Sequence, residues 1–439
     1  MKRLFFSFLL LNLCAAAYAQ PLRLQDAVTI ALKNSLDIQV VRNNLQISDV
    51  NNNIGIAGGL PLVTATGSDN EQSVNINQKI NRRTATGADS IYSIQSNGAT
   101  SNQLSSGLTG SMLLYNGMRV VATKKRLAEL EKQSQQYVNS QIQNVIAAVM
   151  TSYYDVVRQQ NYLKTFDQSL AVAEKKLDII KAQQSVGLAN NADLFQSQLD
   201  LNNLLQTKVQ QQLVIDQAKT GLLTLLTLRP DSTLAISDTI LVDRSIVLGN
   251  ILDNLTSNPD IIAADEQIRI NELIEKETAA QRYPTVRASA GYNYNRNQTS
   301  AGQTLLNQSN GPFLGGNFII PIYNGSIYKR QQKIAGINTR NAALQKEITI
   351  RDYSSNAVKT YQAYASSLVQ LDTAKRTLEL SQKLLDLVLQ RFQLRQATIV
   401  DITLAQQGFE TASFSLINLS YASKSSEIEL KRLISKLAP

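Results

Sequence analysis

The stretch Tyr115-Asn116-Gly117 opens a run in which Gly187 follows Gly117 after seventy positions, and Tyr323-Asn324-Gly325 opens a second copy of it. Every matched residue of the second copy lies 208 positions after its counterpart in the first. Neither run contains an internal proline, and the only internal glycine is Gly336, which costs a helix about 1 kcal/mol. Each run therefore predicts one continuous helix of ~105 Å, too long for the core of one globular domain.

The apolar residues of these runs repeat every seven positions. The second copy has Tyr364, Leu371, Leu378, Leu385 and Phe392, and the first has Val156, Leu163, Leu170, Leu177 and Gln184. Such a repeat forms a seam for coiled-coil packing, although a single amphipathic helix can also produce it. Its recurrence in register in two halves favours a duplicated coiled-coil shaft.

The composition excludes several classes of function. The chain has 439 residues, no histidine, no tryptophan and one cysteine, so it lacks the usual zinc and haem ligands and the commonest general base. We expect no cofactor and no catalytic site. The formal charge is +9, yet no basic cluster with interleaved aromatic residues indicates nucleic acid binding.

Residues 1–19 have the pattern of a secretory signal peptide. Lys2 and Arg3 precede an apolar segment, and Ala17-Tyr18-Ala19 supplies small residues at the expected cleavage position. Cleavage there would leave a mature chain without cysteine and with a charge of +7. The alternative is a lipoprotein acylated at Cys14, although the preceding Leu13 is bulky for such a site. An exported, cysteine-free chain fits a bacterial envelope.

The period of apolar residues changes to two after each of two prolines. After Pro284, apolar residues alternate with polar or small ones for about ten residues, which is typical of a membrane-spanning strand. Residues 62–68, after Pro61, alternate more weakly. Return strands are predicted at about 104–114 and 313–322. The segment 69–103 has no apolar period and is predicted to be a long exposed loop with some strand extension, and its shorter partner is about 297–311.

The chain thus divides into two repeats of helix, strand, strand, long helix, turn and helix. We predict a signal peptide at 1–19, a first repeat at 20–228, an irregular linker at 229–250 and a second repeat at 251–439. Outside the signal peptide, no apolar run is long enough for a membrane helix. Four strands cannot close a barrel, and lipid does not tolerate open sheet edges. The fold class predicted is therefore mainly α with a membrane β-barrel part, in which three copies would contribute twelve strands.

Several short motifs recur in a fixed order along the chain. They are Leu24-Gln25-Asp26-Ala27, Tyr283-Pro284-Thr285, the doubled Tyr-Asn-Gly, Val186-Gly187-Leu188 and Thr398-Ile399-Val400-Asp401. In order and spacing the chain resembles the TolC-like outer membrane efflux proteins (outer membrane factors), over nearly the whole mature length. The resemblance implies a homotrimeric channel in a Gram-negative outer membrane, extended by a periplasmic helical tunnel.

The same resemblance implies partners and a mode of action. The tunnel would bind a periplasmic adaptor (membrane fusion) protein and an inner-membrane pump, as the exit duct of a tripartite efflux or type I secretion system. The cargo would be small molecules and, in some relatives, secreted proteins. Export would be passive, because the chain has no nucleotide-binding motif. The alternative, from the residues alone, is a secreted or periplasmic structural coiled-coil protein without a pore.

The resemblance also points to residues of a periplasmic constriction. Asp401 matches the carboxylate that narrows the pore in the family, and Asp193 is its counterpart in the first repeat. The alternative is that each carboxylate only stabilises the start of a helix. Leu404 stands where the family has a second acid, Ala397 replaces an arginine, and Phe392 replaces a tyrosine. These departures predict a constriction held more by packing than by polar contacts.

The two helical turns resemble the tips that the family uses against its adaptor. Val186, Gly187 and Leu188 form the first tip, and Leu394, Arg395 and Gln396 form the second. Glycine at such a turn also has a purely local explanation, because it ends a helix without steric cost. The second tip lacks this glycine, so we expect a strained or differently shaped turn there.

Overall fold

The computed structural model describes residues 22–83, 85, 87 and 89–438. The predicted signal peptide and Cys14 lie outside these residues. The helices and strands follow in the order α1 (Leu24–Asn34), α2 (Leu36–Asn51), β1 (Leu62–Arg83), β2 (Asp89–Tyr115), α3 (Arg119–Ser185), α4 (Asn191–Leu225), α5 (Leu248–Asn254), α6 (Pro259–Ala280), β3 (Thr285–Thr299), β4 (Leu306–Ile319), α7 (Ile327–Gln393) and α8 (Ile399–Leu433).

The predicted duplication is present in the elements themselves. The long helices α3 and α7 have 67 residues each, and the helices that follow, α4 and α8, have 35 each. Both bounds of α7 and α8 lie 208 positions after those of α3 and α4. At 1.5 Å per residue each long helix is about 100 Å long. None of the helices in the described part of the chain is apolar and long enough to cross a membrane.

The start of each long helix has an unusual backbone. Two successive residues with positive φ follow each Tyr-Asn, namely Gly117 and Met118 in the first repeat and Gly325 and Ser326 in the second. Only the first of each pair is glycine, the residue that adopts this conformation without steric cost. The repeated Tyr-Asn-Gly is therefore a strand-to-helix turn whose shape is the same in both repeats.

The described chain forms two compact units, and most helices belong to the first. This unit contains the described residues through Leu45, Ser134–Ala264 and the residues from Gln345 onwards. Four of the five heptad positions of α7 are buried in this unit, namely Tyr364, Leu371, Leu385 and Phe392, and Leu378 is half-buried. In α3 the corresponding Val156 and Leu177 are buried, whereas the other three positions are half-buried. The seven-residue pattern therefore marks a real packing seam.

The second unit, Gln46–Gln133 and Asp265–Leu344, contains the sheet. Its four antiparallel strands lie in the order β1-β2-β3-β4, so β1 and β4 are the edges. The alternation of apolar and polar residues predicted for β3 continues across the neighbouring strands of the sheet. Ala290 pairs with Gly110 of β2 and with Leu314 of β4, and Tyr292 pairs with Leu108 and Pro312. One face is thus largely apolar, and the opposite face carries Arg287, Ser289 and Asn293.

The prediction of a long loop at 69–103 is wrong. Most of this segment is strand, because β1 continues to Arg83 and β2 begins at Asp89, with a register shift between Val74 and Ile76. The ladder of backbone hydrogen bonds stabilises this ribbon although its residues are polar. The partner loop is also shorter than 297–311, since only residues 300–305 separate β3 from β4.

The linker and the end of β4 differ less from the predicted bounds. The region predicted as a bridge, 229–250, lacks helix or strand up to residue 247, and α5 begins at Leu248. The strand β4 ends at Ile319, before Pro321, which has no backbone N–H to donate to a ladder. The boundaries proposed for the two repeats and their linker stay a prediction.

The packing of Leu385 gives a test of the helical core. Leu385 is 1% exposed and packs against Ala405 and Phe409 of α8. Leu385→Ala should lower stability by about 2–5 kcal/mol, because it leaves a cavity between the two helices. The measurement is the midpoint of thermal loss of helical circular dichroism in detergent.

The matched control is Leu385→Met, which nearly conserves volume and should cost less than about 1.5 kcal/mol. If Leu385→Ala unfolds at the same midpoint temperature as the parent protein, this packing is contradicted.

Candidate functional site

The candidate site lies in the first unit, where each long helix meets the helix that follows it. Phe392 is buried there in an apolar cluster with Ile180 of α3 and Ile402 of α8. Val172, Val388 and Leu389 pack around the same cluster. The ring that stands in place of a tyrosine therefore joins α3, α7 and α8 by packing alone.

Asp401 occupies the third position of α8 and forms a capping box with Thr398. Its Oδ2 accepts hydrogen bonds from the Thr398 backbone N–H, at 2.7 Å, and from the Thr398 hydroxyl, at 2.8 Å. In return the Asp401 N–H donates to Thr398 Oγ1 at 3.2 Å. This reciprocal pair satisfies donors that the first turn of a helix leaves without partners.

The capping contacts hold the pKa of the Asp401 carboxyl below its ordinary value. The backbone hydrogen bond from Thr398 is the main cause, the Thr398 hydroxyl is the second, and the positive charge of Arg391 adds to both. All three favour the charged form. Asp401 is exposed to solvent, so an ionised carboxylate faces water at neutral pH.

Asp193 stands at the equivalent position of α4 but has a different environment. Its backbone N–H donates to Asn190 Oδ1 at 2.7 Å, so the side chain of Asn190 caps this helix. No capping box is formed there, and Asp193 is half-buried. The two carboxylates of the repeat are therefore not interchangeable.

Leu404 lies on the same face of α8 as Asp401. Both line a shallow cavity of about 430 Å³, together with Arg391 and Leu384 of α7. Leu404 is 60% exposed, whereas Phe392 and Asp193 do not line this cavity. Of the four residues predicted for a constriction, the structure thus brings two together on one surface.

A buried ion pair lies near these residues, and the sequence analysis missed it. Lys176 of α3 has a side chain only 1% exposed, and its Nζ donates to Asp200 Oδ2 of α4 at 2.6 Å. The same Nζ lies 3.4 Å from Thr403 Oγ1 of α8, so it links three helices. A signal was available, because Lys176 and Asp200 lie at nearly equal distances from Gly187, on the two arms of an antiparallel hairpin.

The two tips have the same shape although only one contains glycine. At the first, the Leu188 N–H donates to Gln183 O at 2.8 Å and the Gly187 N–H donates to Gln184 O at 2.9 Å. At the second, the Gln396 N–H donates to Arg391 O at 2.7 Å and the Arg395 N–H to Phe392 O at 3.1 Å. Both are Schellman motifs, in which these bonds satisfy the last carbonyl groups of the helix.

The second tip was expected to be strained or differently shaped. Its shape is the same as that of the first tip, and the strain lies at one residue, Arg395. Arg395 has φ 62°, close to φ 74° of Gly187. A residue with a Cβ atom in this left-handed conformation costs about 1–2 kcal/mol. Arg391 supports the turn, because its guanidinium donates to Gln396 O at 3.2 Å.

This geometry predicts opposite effects of two substitutions. Arg395→Gly should slow amide hydrogen exchange at the second tip, because it removes strain of about 1 kcal/mol. Gly187→Ala should accelerate exchange at the first tip by a similar free energy, although a Cβ atom there would meet no other atom within 4 Å. Exchange followed by mass spectrometry on peptides that cover 180–192 and 388–400 measures both.

Each unmodified tip is the internal control for the other variant. Faster exchange in Arg395→Gly would contradict the strain assigned to Arg395.

Known proteins are similar to this chain over both of its repeats. The family model "Outer membrane efflux protein" matches residues 27–227 and 251–436. Outer membrane protein TolC of Vibrio cholerae is 23% identical over 357 residues, which cover 77% of this chain and 78% of the relative.

Solved structures share the fold. The outer membrane protein VceC of Vibrio cholerae has a TM-score of 0.75 at 16% identity, over 94% of this chain and 96% of its own. The CmeC outer membrane channel of Campylobacter jejuni has a TM-score of 0.76 at 17% identity, over 94% of this chain and 85% of its own. The chain is duplicated and mainly helical, its four strands carry apolar residues on one face, and the family model matches both repeats. It resides in the outer membrane with a periplasmic extension, and it belongs to the outer membrane efflux protein family.

Proposed function

We propose that three copies of this chain form the exit duct of a tripartite efflux or type I secretion system and export small molecules passively across the outer membrane. The observation that carries the proposal is the four-stranded sheet, which has one apolar face and two edges without a further strand in the part of the chain that the structure describes. A membrane-spanning strand must have all of its backbone groups paired, because lipid offers no hydrogen bonds. The edges β1 and β4 therefore need further strands, and copies of the same chain can supply them.

Three copies satisfy this requirement with twelve strands, an even number within the usual range for such barrels. The apolar face fits the lipid, since it includes Leu108, Met112, Leu314 and Phe318, all exposed in the single chain. The polar face, with Arg287 and Asn293, would then line water. Closed cyclic symmetry is also the commonest arrangement of identical subunits.

The long helices support a water-filled passage rather than a compact core. Both α3 and α7 are rich in polar residues outside their heptad seams. Exposed apolar residues remain along α4 and α7, including Phe195, Leu199, Leu380 and Leu387. In a trimer these would bury their surface against neighbouring copies, and the polar residues would face the passage.

The tips are proposed to bind a periplasmic adaptor, which links the duct to an inner-membrane pump. Val186 and Leu188 at the first tip and Leu394 at the second are all more than half exposed. Apolar side chains at the end of a rigid hairpin offer an adaptor a surface to bury. The pump would supply the energy, and we assign no catalytic step to this chain.

The alternative, a structural coiled coil without a pore, leaves the sheet unexplained. A coiled coil of α3, α4, α7 and α8 needs no strands, whereas β1 to β4 carry a one-sided apolar pattern.

The test is the conductance of the purified protein in planar lipid bilayers. Discrete steps of stable conductance are expected. Protein that stays in the soluble fraction and yields no conductance would contradict the duct and favour the coiled coil.

The constriction makes a prediction about Asp401. In a trimer three copies of this carboxylate would form a negative ring that favours cations. Asp401→Asn should move the cation-to-anion permeability ratio towards one, because it removes the charge but keeps an oxygen for the cap. Thr398→Ala is the matched control, since it weakens the cap by about 1 kcal/mol and keeps the charge.

The pH dependence has a definite sign. The pKa of Asp401 lies below its ordinary value of 3.8, so the carboxylate is charged at neutral pH and loses its charge only in acid. The permeability ratio of the parent channel should therefore stay constant from about pH 7 to about pH 5 and move towards one in stronger acid. An unchanged cation-to-anion permeability ratio in Asp401→Asn would contradict the proposal that Asp401 lies at the constriction.

A further inference from the structure

A cavity of about 620 Å³ lies entirely within the unit that contains the sheet. Its lining comes from β1, β2 and β3, from the first turns of α3, from α6 and from the segment between α2 and β1. Ligand sites in proteins usually have volumes of about 300–1,000 Å³. The cavity therefore has the size for a small organic molecule.

The strands contribute the polar face of the sheet to this cavity. Arg287 of β3 lies opposite Leu113 of β2, and Ser111 of β2 lies opposite Leu62 of β1. Directly opposite residues share a face, and so do residues two positions apart on one strand, so all four side chains lie on the same face. Under the proposed function this face lines water. The cavity would therefore open to the passage and not to lipid.

Three arginines and one carboxylate line the cavity. Arg126 Nε donates to Glu277 Oε1 at 2.6 Å, and both side chains are half-buried. Arg119 and Arg287 are exposed, and their side chains have no hydrogen bond or ion pair with another residue in the part of the chain that the structure describes. The carboxylate is thus used by one arginine, and the positive charges of the other two remain uncompensated.

The start of α3 adds to the positive potential of the cavity. Asn116 and Arg119 both line it, and Asn116 Oδ1 accepts a hydrogen bond from the Val120 N–H at 3.4 Å. The first turn of α3 therefore borders the cavity, and the dipole of a helix favours anions at its N-terminus. Guanidinium groups bind the oxygens of carboxylates, sulfonates and phosphates through parallel hydrogen bonds. The charges of the cavity therefore fit an anionic group.

The rest of the lining is mainly apolar. Ile56, Leu60 and Leu62 are each more than half exposed, and Leu113 is half-buried. Burial of exposed apolar surface is favourable, so a ligand that covers these side chains gains free energy. A small inorganic anion would leave them in water, whereas an anion with an aryl or alkyl group would cover them. The lining therefore fits an anion with an apolar body.

We propose that this cavity binds amphiphilic organic anions, namely aryl or alkyl sulfonates and carboxylates, as they pass through the duct, an inference that rests on the proposed function. Arg119 and Arg287 bind the anionic group, and Ile56, Leu60 and Leu62 contact the apolar body. Three copies of the chain would place three such cavities around the passage. The cavity thus raises the local concentration of anionic cargo at the sheet.

Equilibrium dialysis of 1-naphthalenesulfonate against the full-length protein in detergent tests the site, with the fluorescence of the probe as the readout. Arg119→Gln and Arg287→Gln should each weaken binding about tenfold, because each removes a charge-assisted hydrogen bond to the sulfonate. The uncharged 1-naphthalenesulfonamide has the same apolar body. It should bind equally to the parent protein and to both variants.

The matched control is Arg296→Gln, which should leave the binding of the sulfonate unchanged. Arg296 lies on the same strand as Arg287 but an odd number of residues away, so it belongs to the opposite face of the sheet. Glu277→Gln should bind the sulfonate several-fold more tightly, because it releases Arg126 from its ion pair. A gain of affinity does not result from misfolding.

Block of conductance by the same sulfonate in planar bilayers connects the site with the duct. Half-block of Arg287→Gln should need about tenfold more sulfonate than half-block of the parent protein or of Arg296→Gln.

Equal binding of the sulfonate by the parent protein, Arg119→Gln and Arg287→Gln would overturn the site, whatever the conductance. Weaker binding in these variants with no conductance in any protein would overturn the proposed duct and support the site. A conductance that the bound sulfonate does not change would overturn the position of the site in the passage.

Discussion

The open edges of a four-stranded sheet are the constraint on which the rest of this molecule depends. Among the described residues, each edge strand has a neighbouring strand on one side only, and its other side presents backbone N–H and C=O groups. In water such groups can bond to solvent, but in lipid each unpaired group costs several kcal/mol. The apolar face of the sheet directs it to lipid, and its edges then require more strands. The proposed oligomer therefore rests on backbone hydrogen bonding rather than on any side chain.

Duplication meets part of this constraint within one chain. The two repeats place β2 of the first beside β3 of the second, so the inner edges of both hairpins are paired. The duplication also extends to the long helices, because α3 and α7 have equal lengths and equivalent bounds. Apart from the longer first hairpin of the sheet, the differences at the caps and tips of the two repeats have local causes. Asn190 caps α4, whereas Thr398 and Asp401 cap α8 together, and Arg395 stands where the other tip has Gly187.

The sequence predicted the parts of the fold that bury apolar surface with a clear period. The heptads of α7 and the alternation in β3 were of this kind, and the structure confirms both. The outer part of the β1–β2 ribbon was missed, because a two-stranded ribbon exposed on both faces leaves no apolar period to detect. At the site, the predicted packing role of Phe392 agrees with its burial, but Lys176 was missed, since burial of a lysine depends on a partner that only the folded hairpin brings near. Residue propensity did not predict the shape of the Arg395 tip, because the hydrogen bonds of the turn and the bond from Arg391 hold a conformation that arginine alone avoids.

The central claim is that one chain does not seal its own wall. Native mass spectrometry of the protein, extracted from outer membranes in mild detergent and never refolded, tests it most directly. The account predicts a single species with the mass of three mature chains. A stable monomer that remains in the outer membrane with its sheet intact would contradict it.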